Sequence, residues 1–344
     1  MPDTPALIVP YMWIGDFVRC HTVVRLLKES QPGRPVDILT TTMAAPLLDY
    51  MPGLRKGVVF DLPRKQLALG RHRALARRLR PESYGQALIM PRTWKAALGP
   101  YLAGIPLRTG FVGEMRFGLV NDLRRGERNL PRMVDRCAAL ALPKGASLPA
   151  EWPTPQLVVP QQEVAGWRRR HGLDGDGRRT VALAPGAVGP AKRWSPDYYA
   201  RLARRLAAAG NAVWVIGGPG EQAAATDIAS ADPAHIRDLT GTDLRNAILA
   251  LAGADLAVSN DSGLLHVAAA IGTPVVGIFG PTSPALWAPL NPIAGVIEAT
   301  SALPCRPCHK PECGLQHHGC MRDISVERVL QVIRALPTDL RRQV

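Results

Sequence analysis

A mostly apolar run, Asp255 to Ser259, breaks into the polar turn Asn260-Asp261-Ser262-Gly263 and then into the apolar stretch Leu264 to Ala270. A short strand, a Gly-containing turn and a helix in that order form the unit from which doubly wound parallel sheets are built. The first backbone N–H groups of a helix find no partner inside it, and the helix dipole adds positive potential at the same end. The turn is therefore a ready site for a phosphate or carboxylate. His266 falls three residues beyond Gly263, close to that helix end. The plainer alternative is a helix capped by Asp261 or Ser262 with no ligand involved.

The same alternation runs through the whole chain. In the first half, Leu7–Val9, Val36–Leu39, Val58–Leu62 and Ala87–Met90 read as strands. Helical spacing is found over Phe17–Leu27, Ala44–Met51, His72–Leu79 and Trp94–Leu102. The Arg-rich stretch Arg64–Arg80 reads as an amphipathic helix with a solvated face; a lipid-facing surface is the sharper alternative. After a Pro-rich break near Leu148–Pro160, strands are expected at Thr180–Leu183, Ala212–Ile216, Leu256–Val258, Val275–Phe279 and Gly295–Ile297. Helices are expected at Pro196–Ala208, Glu221–Ala229, Asp243–Ala252, Gly263–Ala270 and Val326–Leu336. The class is α/β, with two Rossmann-like doubly wound domains and no sequence repeat between them. Ligands in such folds sit beyond the carboxyl ends of the strands.

Charge separates the halves. Residues 1–150 carry 23 Lys and Arg against 11 Asp and Glu, whereas residues 151–344 carry 19 against 17. The first half is thus a cationic platform suited to an anionic partner: nucleic acid, anionic lipid or a phosphorylated substrate. With 5% aromatics and no nucleic-acid-binding signature, nucleic acid is the weakest of the three. No apolar run reaches membrane-spanning length, and the first residues lack the basic start of a secretory signal, so a cytoplasmic protein is expected.

Four segments can carry chemistry. In Pro10-Tyr11-Met12-Trp13-Ile14-Gly15-Asp16, Gly15 permits a tight turn and Asp16 stands at the carboxyl edge of the sheet, as a helix cap or as a general base. In Pro185 to Pro196, Lys192 can neutralise a phosphate, and Ser195-Pro196 suits a helix start; the P-loop spacing is absent. Gly217-Gly218-Pro219-Gly220-Glu221 fails the dinucleotide pattern, which disfavours a dehydrogenase; Glu221 can accept hydrogen bonds from ribose or serve as a first-turn acid. Cys305, Cys308, Cys313 and Cys320, with His309, His317 and His318 among them, suggest either zinc or a structured Cys/Pro-rich loop. Cys20 and Cys137 read as core fillers on apolar helix faces.

Taken together, Ile14-Gly15-Asp16, Ala103 to Phe111, Gly113 to Gly118, Gly189 to Trp194 and Ser259 to His266 resemble the lipopolysaccharide heptosyltransferases of glycosyltransferase family nine. Glu114-Met115-Arg116 and the Cys-rich tail ending Cys320-Met321-Arg322-Asp323 point to the type II branch. The resemblance implies a glycosyltransferase B fold, two domains facing a cleft. Residues 1–155 would hold the acceptor and residues 156–344 the ADP-sugar, the final helix being a candidate to pack back on the first domain. It implies Asp16 as the base of an inverting transfer, with Lys192 also placed among the catalytic residues. ADP-heptose would be held by Gly186, Ala187, Lys192, Glu221, Asp261, Ser262, Gly263 and His266. Val188 departs from the acidic residue common at that point in type II members.

The implied acceptor is the first heptose of the inner core on Kdo and lipid A, an anionic glycolipid at the cytoplasmic face of the inner membrane. Gly15, Arg64, Arg92, Lys95 and Arg116 are its candidate partners, within a wider basic group that includes Lys65, Arg71, Arg73 and Arg124. Positioned cations and amides can take the place of a metal, so no cofactor or metal is expected. The competing readings are another family-nine transferase, a basic adaptor for membranes or nucleic acid, and a zinc-stabilised binding protein.

Overall fold

The computed structural model describes residues 4–61, 68–174, 177–241 and 243–336. Two compact units emerge, Met1–Pro155 and Gln156–Val344.

The first unit is built on six strands: β1 (Ala6–Val9), β2 (Val36–Thr40), β3 (Lys56–Val59), β4 (Gln86–Ile89), β5 (Leu107–Phe111) and β6 (Asp122–Arg124). They pair in parallel in the order β3-β2-β1-β4-β5-β6. β1 and β2 are buried along their whole length; β1 reads as a continuous apolar run, whereas β2 carries buried Asp37, whose carboxylate accepts from Arg55 and the Tyr84 hydroxyl. Leu7, Val9, Leu39 and Ile89 from the sheet pack with Leu75, Leu79 and Ala97 from helices Leu69–Leu79 and Trp94–Leu102.

The second unit repeats the plan with β7 (Thr180–Ala184), β8 (Ala212–Val215), β9 (Ile236–Asp238), β10 (Leu256–Asn260), β11 (Val275–Phe279) and β12 (Ala294–Glu298). Their order is β12-β11-β10-β7-β8-β9, again all parallel. Counted from its own first strand, each sheet has the order 3-2-1-4-5-6, although no repeat is visible in the residues. The helix Val326–Ala335 sets Val326, Val329, Leu330 and Ile333 into the core of this second unit, and Ser325 caps it by accepting the Arg328 N–H.

Several elements differ from the sequence expectation. The helix expected over Phe17–Leu27 is two, Ile14–Arg19 and His21–Ser30, joined at Cys20. Ala45–Tyr50 is a 3-10 turn with Pro46 in its first positions, where the missing N–H suits a short tight helix. β5, β6 and β9 escaped the pattern because each is a short or half-polar strand. The Arg-rich stretch is helical from Leu69, and its first residues, Arg64 and Lys65 included, lie outside the described residues. No helix among the described residues is long and apolar enough to cross a membrane.

Candidate active site

Where strand order reverses, neighbouring loops leave in opposite directions and open a crevice at the carboxyl edge. In the second unit that point lies between β7 and β10. β7 feeds the loop from Pro185 to Trp194, which contains a 3-10 turn at Pro190–Lys192; β10 feeds the turn into helix Gly263–Ile271. Lys192 Nζ donates to Asp261 Oδ2 at 2.7 Å. Thr282, from the loop after β11, donates its hydroxyl to the same oxygen at 2.8 Å. Fully buried Asn260 ties the two loops together: its Nδ2 donates to Pro185 O at 2.6 Å, while its Oδ1 accepts the Trp194 N–H and the Tyr199 hydroxyl.

Ser262 occupies the N-cap position of helix Gly263–Ile271, yet its side chain makes no capping bond. Its hydroxyl meets that of Ser259 at 3.1 Å instead. The first-turn amides are thus left without a side-chain cap, unlike those after Asp243, whose carboxylate accepts from Asn246 N. Asp261 and Ser262, the expected caps, are engaged by Lys192, Thr282 and Ser259 instead, so the helix start is able to accept an anion. His266 is buried one turn further along.

Two further expected donor residues meet at Gly186. A Cβ there would fall 2.7 Å from Glu221 Cδ, so glycine is required for the Glu221 carboxylate to lie against the loop. Glu221 Oε2 accepts the Gly218 N–H at 2.8 Å, which fixes that carboxylate at its turn. Ala187 is buried, and its carbonyl accepts from Arg193 Nε.

In the first unit the corresponding reversal lies between β1 and β4. Helix Ile14–Arg19 leaves β1 and carries buried Gly15 and part-buried Asp16 in its first turn. Arg19 Nη1, one turn on, donates to Asp16 Oδ1 at 2.5 Å. After β4 come Arg92 and Lys95. Arg92 is half exposed and pairs with Glu127 Oε2 at 3.0 Å, and the other Glu127 oxygen is buried without a partner. Arg116 is placed otherwise than expected. It is 1% exposed, its Nε and Nη2 donate to Phe111 O and its Nη1 to Pro91 O, so it braces the sheet edge rather than facing a ligand. Burial pushes its pKa down from the usual guanidinium range.

The zinc alternative finds no geometric support. Among the described residues no three His, Cys, Asp or Glu side chains group to hold one metal ion. His317 Nδ1 accepts the Gly319 N–H at 2.8 Å, which leaves the ring proton on Nε2, facing Cys305 Sγ at 3.9 Å. A metal-ligating imidazole has the opposite polarity, its far nitrogen donating. Cys20 and Cys137 are buried with their sulfurs 3.9 Å apart, and that contact, together with burial, raises the Cys137 pKa.

Sequence reasoning passed over Arg19, Asn260, Thr282 and Glu127. Arg19 was within reach, standing three residues beyond Asp16 on one helix face. Thr282 was signalled only by its position past the end of β11.

Two doubly wound parallel sheets of this order are the plan of the GT-B fold, and similarity to known proteins places the chain among the glycosyltransferases of that fold. The family model of glycosyltransferase family 9 (heptosyltransferase) matches residues 72–318, and the chain belongs to that family. It is 35% identical to lipopolysaccharide heptosyltransferase 2 of Escherichia coli K12, with 96% of this chain and 97% of that one covered. Lipooligosaccharide heptosyltransferase 2 of Haemophilus influenzae is also 35% identical, over 85% of this chain and 87% of its own. The solved structure of the Escherichia coli ADP-heptose lps heptosyltransferase II superposes with a TM-score of 0.84 at 34% identity, covering 96% of this chain and 98% of that one. The protein is a glycosyltransferase, which sets aside the basic-adaptor reading.

Proposed function

We propose that the protein moves a heptose from ADP-heptose to the first heptose of the lipopolysaccharide inner core, inverting the anomeric centre. The observation that carries this reading is the Lys192–Asp261 pair beside the uncapped start of helix Gly263–Ile271. Full-length similarity to type 2 relatives supports the choice of acceptor. By contrast, the type 1 relative from Pseudomonas aeruginosa matches at 29% over 48% of this chain.

In this reading residues 156–344 hold the donor and residues 1–155 the acceptor. The adenosine ribose lies near Glu221 and Gly186. The diphosphate meets Lys192, the amides after Ser262 and His266, with Ala187 and Asp261 beside it. Asp16 takes the proton from the acceptor hydroxyl as that oxygen bonds to the anomeric carbon. The bond to the ADP oxygen breaks in the same displacement, and negative charge grows on the leaving diphosphate. Donors already in place stabilise that charge without reorganising. Gly15, Arg92 and Lys95 serve the anionic acceptor at the inner face of the cytoplasmic membrane, with Arg64 as a further candidate from outside the described residues. This chemistry asks for no metal or cofactor.

Incubation with ADP-heptose and a panel of truncated core acceptors tests the reading. Transfer with ADP release is expected only on acceptors that carry the first heptose. Transfer to heptose-free Kdo–lipid A would make the chain a type I enzyme, and no transfer to either would overturn the assignment.

A further inference from the structure

The Cys-rich segment has no place in the reaction as proposed, yet it touches the donor site at both ends of one chain of hydrogen bonds. That chain runs from the Thr282 hydroxyl through Asp261 Oδ2 to Lys192 Nζ, with links of 2.8 and 2.7 Å. His309 N donates to Pro281 O at 2.9 Å, one residue from Thr282. Pro311 O accepts the Ala191 N–H at 3.0 Å, one residue from Lys192. Gly189 records how close this approach is: a Cβ at that position would lie 2.9 Å from Pro311 O, and its φ of +94° excludes side chains independently. Arg306 Nε adds a third grip by donating to Gly280 O at 2.6 Å.

We propose that segment 305–313 is a positioning clamp for the donor diphosphate, holding the Pro281 and Ala191 backbones so that Thr282 and Asp261 keep Lys192 aimed at the phosphates. Asp261 takes one of the three donors of the ammonium and thereby fixes the direction of the others. A lysine stem otherwise rotates freely, and aiming it in advance saves the ordering cost when ligand binds. Thr282 and the segment touch no reacting atom; they act through Lys192. The clamp rests on the reading of Lys192 as the diphosphate cation.

The test measures ADP and adenosine affinity of the full-length protein by calorimetry. Thr282→Val removes one hydroxyl at constant shape and is expected to raise the ADP Kd by about three- to tenfold, because Lys192 is then no longer aimed before the ligand binds. Adenosine, which lacks phosphates, should bind as before, and Thr282→Ser should restore ADP affinity. Gly189→Ala pushes on Pro311 O and should act in the same direction, with the donor KM rising more than kcat falls. Wild-type ADP affinity in Thr282→Val overturns the clamp, as does equal loss of ADP and adenosine, which marks general damage. Thr282→Val carries the test even where Gly189→Ala does not fold. Should Lys192→Ala itself leave ADP binding unchanged, the diphosphate reading fails first and the clamp falls with it.

Discussion

Arg19 Nη1 stands 2.5 Å from Asp16 Oδ1, with both side chains largely shielded from water. One turn of helix Ile14–Arg19 separates the two residues, so the pair is built by helix geometry and needs no long-range folding to align. A general base must be held toward its proton, and an i,i+3 guanidinium fixes one carboxylate oxygen.

Asp16→Asn keeps the shape and removes the basicity. Steady-state kinetics should show kcat lowered by about 100-fold or more with ADP affinity unchanged. Near-normal kcat would remove Asp16 from the mechanism. Arg19→Ala should lower kcat by roughly tenfold, a smaller loss because the base itself remains.

Arg92 and Arg116 separate an exposed arginine from a structural one. Arg92→Ala is expected to raise the acceptor KM at a stability cost of about 1–2 kcal/mol, because the largely buried Glu127 carboxylate loses its cation. Arg116→Ala leaves Phe111 O and Pro91 O without their donors and should cost about 2–4 kcal/mol in denaturant unfolding. If the two variants exchange these phenotypes, the placement of Arg116 as a brace is wrong.

His72 is 1% exposed, its two ring nitrogens have no hydrogen-bond partner, and its ring lies edge-on to Phe60. Burial, and secondarily the charge of Lys95, holds its pKa below the ordinary 6.5. The unfolded chain then takes up the proton first as the pH falls, so unfolding binds protons and stability drops with acidification. The loss starts near 6.5 and continues down to the lowered folded value. His21, whose pKa burial also depresses, adds to the same slope. His72→Leu should flatten the fall in thermal midpoint between pH 7 and 5. It should also add about 1–3 kcal/mol by removing buried unpaired atoms. An unchanged pH slope would count against this account.

Asn260 joins the loops that follow β7 and β10 through three hydrogen bonds from a fully buried side chain. Asn260→Ala strands Pro185 O and the Trp194 N–H. It should destabilise the second unit by about 2–4 kcal/mol and weaken ADP binding together with it, unlike Thr282→Val. Hydrogen exchange should locate the lost protection at residues 185–194; protection unchanged there would refute the link.

Much was legible beforehand because it is local. The strand–turn–helix at Leu256–Ile271, the Lys192 loop and the Gly15-Asp16 turn each follow from apolar runs and turn residues that act within a dozen positions. Candidate donor residues could therefore be named one by one from the sequence. Arg116 shows the limit. Its charge is visible in the sequence, but whether a guanidinium faces solvent or two backbone carbonyls depends on where Pro91 and Phe111 come to lie.

The residues by themselves determined two α/β domains, a basic first half and an anion-favouring helix start, since strand burial, charge and helix ends are properties of short stretches. Tertiary structure alone decided that both sheets share one strand order, that Asp261 grips Lys192 from 69 positions away, and that Pro311 reaches back to Ala191. Those contacts join loops from different strands, and only the stacking of parallel strands at a switch point brings such loops within hydrogen-bond reach.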